Sequence, residues 1–356
     1  MFKDKLNVGL TFNVKPDDEV LSQEFFAQSP AVDVQTQTHT DTYAEWDSWE
    51  TIDALKQALE LYNNVILIEG NEEAYIKLKE TKPDIVFNVT EGIYGISREA
   101  QIPAMLDLLK IPYTGSDPLA LSTCLDKSRT KEILSFHKIP NSKFTTTKNI
   151  DQLNLGDLRF PLIVKPVSEG SSKGIYSSSF VSNKKELFTE VKRVTENYKQ
   201  TALIEEYLPG REFTVALLGN DDEIEILPIV ELDYEGFPDD LVHIYSYEAK
   251  WLIDTKDNPL KAFTCPAKIS HSLEQIIKRT ALQTFNVLNC KDWGRIDLRL
   301  DTDGIPNVIE VNPLPGILPD PRENSSFPKA AFASGLTYNE MINKVLYTSA
   351  KRHGLV

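Results

Sequence analysis

Apolar runs and apolar-periodic segments alternate through the first third of the chain. Residues 6–12 (LNVGLTF) are compact and apolar enough for a buried strand. Residues 51–61 place Ile52, Leu55, Ala58 and Leu59 at helical spacing. Strand-like residues 65–68, a short helix over 72–79, a strand over 84–89 and a helix over 102–109 follow. This alternation predicts βαβ units on a parallel sheet. A polar stretch without periodicity, residues 13–42, interrupts it and reads as an insertion or a loop.

The middle of the chain predicts a helix over 128–136, a break at Pro140 and a strand over 162–165 closed by Pro166. A Gly/Ser loop over 169–174 follows, then a strand over 175–179, a helix over 184–195 and a strand over 202–205. Further on, strands are predicted over 212–218 and 223–232, and a long helix over 273–288. The last helix opens on Thr337-Tyr338-Asn339-Glu340, a capping-box pattern.

Before that last helix, residues 294–297 (GRID) and 308–316 (VIEVNPLPG) read as two strands joined by a turn at Asp301-Thr302-Asp303-Gly304. Side chains two apart on a strand share a face. Arg295 therefore points with Asp297, and Glu310 with Asn312. If the strands pair, three oxygen ligands and one guanidinium converge. Hard oxygen donors suit Mg²⁺, which keeps substrate phosphates as partners. The competing reading is a polar hairpin face stapled by ion pairs. Ile296, Leu298, Ile309 and Val311, expected to be buried on the opposite face, and the unusual Pro-Leu-Pro-Gly favour the phosphate site.

Composition narrows the classes. The chain has 356 residues, ordinary apolar and charged fractions and a net charge of −15. That length suits two or three domains or one multilayer enzyme. The acidic balance argues against broad nucleic-acid or anionic-membrane binding. No apolar run is long enough to span a membrane, and residues 1–5 carry no signal-peptide core. Cys124, Cys265 and Cys290 are far apart, without metal spacing, and are expected as free thiols in a reducing cytoplasm.

Three further segments can carry chemistry. Lys165 ends an apolar strand, so its ammonium needs an anion there, phosphate being a natural one; a lysine snorkelling at a sheet edge is the alternative. The loop Glu169-Gly170-Ser171-Ser172-Lys173-Gly174 offers backbone N–H groups and hydroxyls to an anion, without Walker A spacing. Residues 203–210 (LIEEYLPG) can offer backbone groups to a base and a carboxylate to ribose, or can simply be a strand exit. Tyr247-Glu248-Ala249-Lys250-Trp251 reads as a loop whose lysine clamps a phosphate, or as a loop packed by its own aromatics.

In this order, the pieces resemble the ATP-grasp superfamily and, within it, the D-alanine–D-alanine ligase family. The resemblance lies in residues 112–117 (PYTGSD), 125–127 (LDK), 163–166 (IVKP), 169–172 (EGSS), 204–208 (IEEYL), 210–215 (GREFTV), 247–250 (YEAK), 265–267 (CPA), 294–297 (GRID) and 310–312 (EVN). It implies an α/β (α+β) ATP-grasp fold of three domains: a parallel-sheet N-terminal domain over 1–115, a central one over 116–210 and a C-terminal one over 211–356. ATP would lie between the second and third. Lys127, Lys165, Ser172 and the mobile-loop Lys250 would contact the nucleotide. Glu205, Glu206, Tyr207 and Leu208 would line adenine, and Glu212 would hold ribose. Asp297, Glu310 and Asn312 would bind two Mg²⁺ ions, with Mn²⁺ as a substitute. Arg295 and the backbone at Gly316 would stabilise a tetrahedral intermediate, and Ser171 would position substrate. The implied activity is amide-bond formation from a small carboxylate and an amine through an acylphosphate. A cytoplasmic homodimer is the implied setting.

The chain departs from the family in both amino-acid pockets. The glutamate that holds the first substrate's ammonium is absent from its usual place; Glu45 is the candidate after an insertion, or a carboxylate favoured by the start of the first helix. Thr90-Glu91-Gly92 stands where the family has a histidine. Trp251 replaces a tyrosine. After Gly316, residues 317–322 (ILPDPR) replace a Thr/Ser-rich run, and Arg322 can pair with a substrate carboxylate or stay solvated. Ligation of substrates other than two D-alanines is therefore expected, with D-alanine–D-alanine ligation itself or nucleotide binding without turnover as alternatives.

Overall fold

The computed structural model describes residues 5–16, 41–237, 242–254 and 260–356. Most of the polar stretch over 13–42 lies outside the described residues.

Strands β1 (Asn7–Phe12), β2 (Asn64–Glu69) and β3 (Ile85–Val89) form a parallel sheet in the order β2-β1-β3. Helices α1 (Trp49–Glu60), α2 (Ala74–Thr81) and α3 (Gln101–Leu109) alternate with these strands, as the periodicity predicts. Helices α4 (Pro118–Leu125) and α5 (Lys127–Phe136) lead into a second, antiparallel sheet. That sheet joins β4 (Phe144–Thr147), β5 (Leu162–Pro166), β6 (Phe180–Val181) and β7 (Ala202–Glu206) in the order β4-β7-β5-β6, and α6 (Lys184–Asn197) packs on it. The third sheet holds β8 (Glu212–Leu218), β9 (Glu225–Ile226), β10 (Val230–Leu232), β11 (Phe263–Thr264), β12 (Trp293–Leu300) and β13 (Pro306–Asn312). Its main path is β11-β10-β8-β12-β13. Helices α7 (His271–Val287) and α8 (Ser326–Ala333) cover it, and α9 (Tyr338–Arg352) packs on α8 and α1. The capping box at Thr337 and Glu340 forms.

Several expectations need correction. Residues 175–179 are not a strand; Ser177–Ser179 is a 3₁₀ turn in which the Tyr176 N–H donates to Ser179 Oγ, and only Phe180–Val181 pairs with β5. The strand expected over 223–232 is split, because Pro228 cannot donate to a ladder. Ile309 does not join the core. The β12–β13 register shifts after Asp297, which pairs with Glu310, while Leu298 pairs with Val308. The extra residue is Ile309, and such a bulge turns its side chain to the cleft while Val308 takes the core position. Helix α4 was not anticipated, although Asp117-Pro118 is a legible start: Asp117 accepts from the Ala120 N–H and Pro118 needs no donor there.

The core crosses the chain. Ile52, Leu55 and Leu59 of α1 share one apolar cluster with Met341, Ile342, Val345 and Leu346 of α9 and with Trp293 of β12. Nearby, fully buried Asp292 accepts from the Gly115 N–H at 2.8 Å, Asn220 Nδ2 at 2.7 Å and Arg352 Nε at 2.9 Å. These contacts tie the start of α4 and the end of α9 to β12, the strand that bears Arg295 and Asp297.

Candidate active site

A cleft of about 370 Å³ is lined from one side by the second sheet and from the other by the third. Glu45, Lys127, Lys165, Ser171, Ser172, Glu205, Glu206, Tyr207, Leu208, Glu212, Lys250, Arg295, Asp297, Glu310 and Gly316 all border it. Asn312 borders an adjoining recess. Tertiary folding thus brings these residues together from all three parts of the chain; Arg322 is the exception.

The hairpin forms one polar wall. Arg295 lies opposite Asn312, and Asp297 opposite Glu310. The Asp297 carboxylate accepts from Arg295 Nη2 at 2.8 Å, from Thr214 Oγ1 at 2.8 Å and from Asn312 Nδ2 at 3.2 Å. Glu310 pairs with Lys127 Nζ at 2.9 Å. Burial works against its charge, but Lys127, then Arg295 and Lys165, hold its carboxyl down at about 2. Lys127 sits at the first turn of α5, whose cap Asp126 accepts from the Ser128 and Arg129 N–H groups. Its ammonium also donates to the Glu169 carbonyl. Three adjacent hard oxygen donors, one held ionised, fit a small divalent cation.

Lys165 finds its anion inside the protein. Glu205 accepts from Lys165 at 2.5 Å and from Lys131 at 2.7 Å, and Ser142 Oγ donates to it at 2.7 Å. Its burial alone would raise the carboxyl, yet the two ammoniums push it well below the usual range. Lys131 escaped the sequence reading; its signal is the four-residue spacing from Lys127, which puts both on one face of α5. Glu205→Gln leaves two buried ammoniums facing a neutral amide. A loss of about 3–5 kcal/mol of stability is expected in urea unfolding. A loss under about 1 kcal/mol would place the pair in water.

Glu212 accepts from Tyr234 Oη at 2.8 Å and from Arg299 Nη1 at 3.1 Å, and burial raises its carboxyl. Arg299 also donates to Tyr207 Oη at 2.9 Å, so residues 207 and 212 are held as one unit. Glu206 accepts from the Arg159 N–H. Lys250 lies in a π-helical turn, Glu248–Ile253, rather than a structureless loop. This turn is latched to the Gly/Ser loop: Trp251 Nε1 donates to the Ser171 carbonyl at 3.1 Å, and Ser172 Oγ to the Tyr245 carbonyl at 2.7 Å. Ser171 and Ser172 both have positive φ, +49° and +60°, a costly pair for residues with a Cβ.

Glu45 borders both the cleft and the recess beside it, and its partners in the structure are protein groups. Both its oxygens accept from Arg98 Nη2, at 2.6 and 2.7 Å, and one accepts from the Gly170 N–H at 2.6 Å. The approach is so close that a Cβ on residue 170 would lie 2.6 Å from Glu45 Oε1. The start of α1 is capped by Ser48, not by Glu45. Arg98, unanticipated in the sequence, also donates to Ser168 O and Glu169. Arg322 pairs with Asp320 at 2.6 Å, is largely exposed and does not border the cleft. Ser325 and Ser326 also line the cleft, and Ser325 Oγ donates to the Gly316 carbonyl at 3.0 Å.

The chain is similar to known proteins over most of its length. The family model described as D-ala D-ala ligase C-terminus matches residues 132–347. A D-alanine–D-alanine ligase of Carboxydothermus hydrogenoformans is 32% identical over 309 residues, 84% of this chain and 92% of that protein. An uncharacterized protein of Sinorhizobium fredii is 35% identical over 317 residues, 86% of this chain and 90% of that protein. Among solved structures, a Bacillus anthracis D-alanine–D-alanine ligase complexed with ATP superposes with a TM-score of 0.67 at 22% identity, covering 98% of this chain and 99% of that one. A D-Ala:D-Ser ligase from Enterococcus faecalis gives 0.66 at 21% identity, covering 98% and 100%. No helix among the described residues is long and apolar enough to cross a membrane. With a family match over most of its length, an ATP-grasp fold and these relatives, the chain belongs to the D-alanine–D-alanine ligase family.

Proposed function

We propose that this chain is an ATP- and Mg²⁺-dependent ligase that joins a small carboxylate to an amine through an acylphosphate. One observation carries the reading: Arg295, Asp297, Glu310, Lys127, Lys165 and Lys250 border a single cleft between two sheets. The relatives named as D-alanine–D-alanine ligases, one of them seen with ATP, support the same class. The three-domain division at residues 115 and 210 belongs to this proposal, with ATP between the second and third units.

Leu208, Tyr207 and Glu206 orient the base, and Glu212 takes ribose hydroxyls in place of one of its present donors. Lys127 and Lys165 attract the phosphates. Mg²⁺ held by Asp297, Glu310 and Asn312 would neutralise charge on the phosphates during in-line transfer. A substrate carboxylate oxygen bonds to the γ-phosphorus as the bond to ADP breaks. The amine then attacks the acyl carbon, phosphate leaves and the nitrogen loses a proton. Arg295 and the backbone near Gly316 face the oxyanion that develops between those events. The Lys250 turn, latched to the Gly/Ser loop, excludes water that would hydrolyse the acylphosphate. The altered surroundings of Glu45, Glu91 and residues 317–326 give substrates other than a D-alanine pair.

The test is Mg²⁺-dependent phosphate release from ATP, screened with D- and L-amino acids and amines, singly and in pairs. Release that requires a specific pair, with a matching amide product, supports the reading. Release with D-alanine alone identifies a D-alanine–D-alanine ligase. ATP binding without release for any pair overturns ligation.

Lys250 adds a pH signature. Burial, with Arg295 beside it, lowers its ammonium to about 8. Its charge is present below that value and lost above it. In the free enzyme, kcat/KM for ATP is therefore expected to fall as pH rises through about 8. Lys250→Arg, whose charge persists, should flatten that limb. The same limb in the arginine variant would assign it to another group.

A further inference from the structure

Beside the hairpin the cleft opens into a recess of about 80 Å³, bordered by Glu310, Asn312 and Gly316 and by Glu45, Glu91 and Glu99. Carboxylate oxygens of Glu45, Glu91 and Glu99 all lie within 4.8 Å of one another. Carboxyls this close and this buried either hold protons or gain a cation; Arg98, Lys173 and Lys127 are already paired, and Lys250 and Arg295, which also border the recess, form no ion pair with Glu91 or Glu99 among the described residues. Arg98 is taken by Glu45, Glu169 and the Ser168 carbonyl. Lys173 pairs with Glu169 at 3.1 Å, and Lys127 with Glu310 at 2.9 Å. Glu91 and Glu99 are left over. Among the described residues neither receives a hydrogen bond or forms an ion pair, yet Glu99 is only 7% exposed and faces the recess. Burial, reinforced by Glu45 against Arg98, pushes the Glu99 carboxyl up to about 8. Burial raises the Glu91 carboxyl too, so a protonated nitrogen entering here meets two carboxyls that have no hydrogen-bond partner among the described residues, and its charge favours their ionised forms.

Resting on the ligase reading above, we propose that the Glu91–Glu99 pair receives a second protonated nitrogen of the substrate, so that one substrate is a short diamino acid rather than a neutral amino acid. The recess accommodates an ammonium on a short chain, and its opening beside Arg295 and Gly316 keeps that chain near the reacting centre. A primary ammonium brings three donors and one charge, which Glu91 and Glu99 can share. A divalent ion suits the recess less well. Both Glu45 oxygens already accept from Arg98, whose guanidinium would face the ion at short range.

The experiment compares matched pairs in the phosphate-release assay, in both chiralities: diaminopropionate with aminobutyrate, ornithine with norleucine. Calorimetric binding of diaminopropionate is measured alongside. The basic member of at least one pair is expected to win in kcat/KM by roughly 30-fold or more, the scale of losing one partner of a buried charge pair. Glu91→Gln and Glu99→Gln, both close in shape to the original, are each expected to cut that ratio at least about tenfold. Phosphate release with neutral substrates and no basic preference overturns the proposal and leaves the ligase reading intact. Diaminopropionate binding that Glu99→Gln abolishes, without phosphate release from any pair, supports the recess and overturns ligation. Mg²⁺ alone displacing diaminopropionate from the wild type, with Glu99→Gln losing that Mg²⁺ binding, makes the recess a metal site and overturns the proposal.

Discussion

Asp297→Asn is expected to reduce ATP-dependent phosphate release by about a thousandfold or more, and Glu310→Gln to do nearly as much. Charge stabilisation by a bound metal is worth several kcal/mol in phosphoryl transfer, and about 4 kcal/mol is a factor of roughly a thousand. Both substitutions keep shape and remove a hard, charged ligand. Their local consequences differ. Asparagine at 297 leaves Arg295 without its bidentate partner, whereas glutamine at 310 frees Lys127, whose remaining contact is the Glu169 carbonyl. Both variants should therefore lose the Mg²⁺ dependence of ATP binding, and Glu310→Gln should keep more Mg²⁺-free nucleotide affinity because Lys127 becomes available. Calorimetry with and without Mg²⁺, beside the turnover assay, reads both effects. Turnover within about tenfold of wild type in either variant would remove that residue from the metal set.

Arg295→Ala should lower kcat by about a hundred- to a thousandfold, the cost of deleting one oxyanion donor, with ATP affinity changed only a few-fold. The structure complicates the naive version of this prediction, because Arg295 also braces Asp297 through Nε and Nη2. Thr214 and Asn312 still hold the carboxylate in the alanine variant. Arg295→Lys separates the two roles. It restores a positive charge without the planar fork, so it should recover ATP and Mg²⁺ binding more fully than kcat. A large rise in the ATP dissociation constant with kcat preserved would mean that Arg295 serves the nucleotide and not the reacting carbon.

Much of the site was legible because its residues lie on strands and at strand ends, where alternation decides the face. Arg295, Asp297, Glu310 and Asn312 follow from period two alone. Ile309 did not, because a bulge changes the parity of everything beyond it and leaves no compositional trace here. The strand expected over 175–179 failed for a related reason: serine hydroxyls compete for the backbone donors that a strand needs. Arg98 went unnoticed because nothing local marks an arginine in a short 3₁₀ turn as buried, and Lys131 because its spacing from Lys127 gives a shared helix face but not its burial. Only their partners, Glu45 and Glu205, distant in sequence, give them a role.

The sequence by itself determined the alternation of strands and helices at the N-terminus, the hairpin that carries Arg295, Asp297, Glu310 and Asn312 on a shared polar face, and the order of segments that marks the family. Each depends on spacing within one element, which backbone geometry converts directly into a face. Only the tertiary structure decided which charges are already satisfied. Glu45 is paired with Arg98 and Gly170, Glu205 with two lysines, and Arg322 with Asp320, while Glu91 and Glu99 face a recess and have no hydrogen-bond or ion-pair partner among the described residues. Pairing of buried charges depends on distances between elements far apart in the chain. Local periodicity carries no information about those distances.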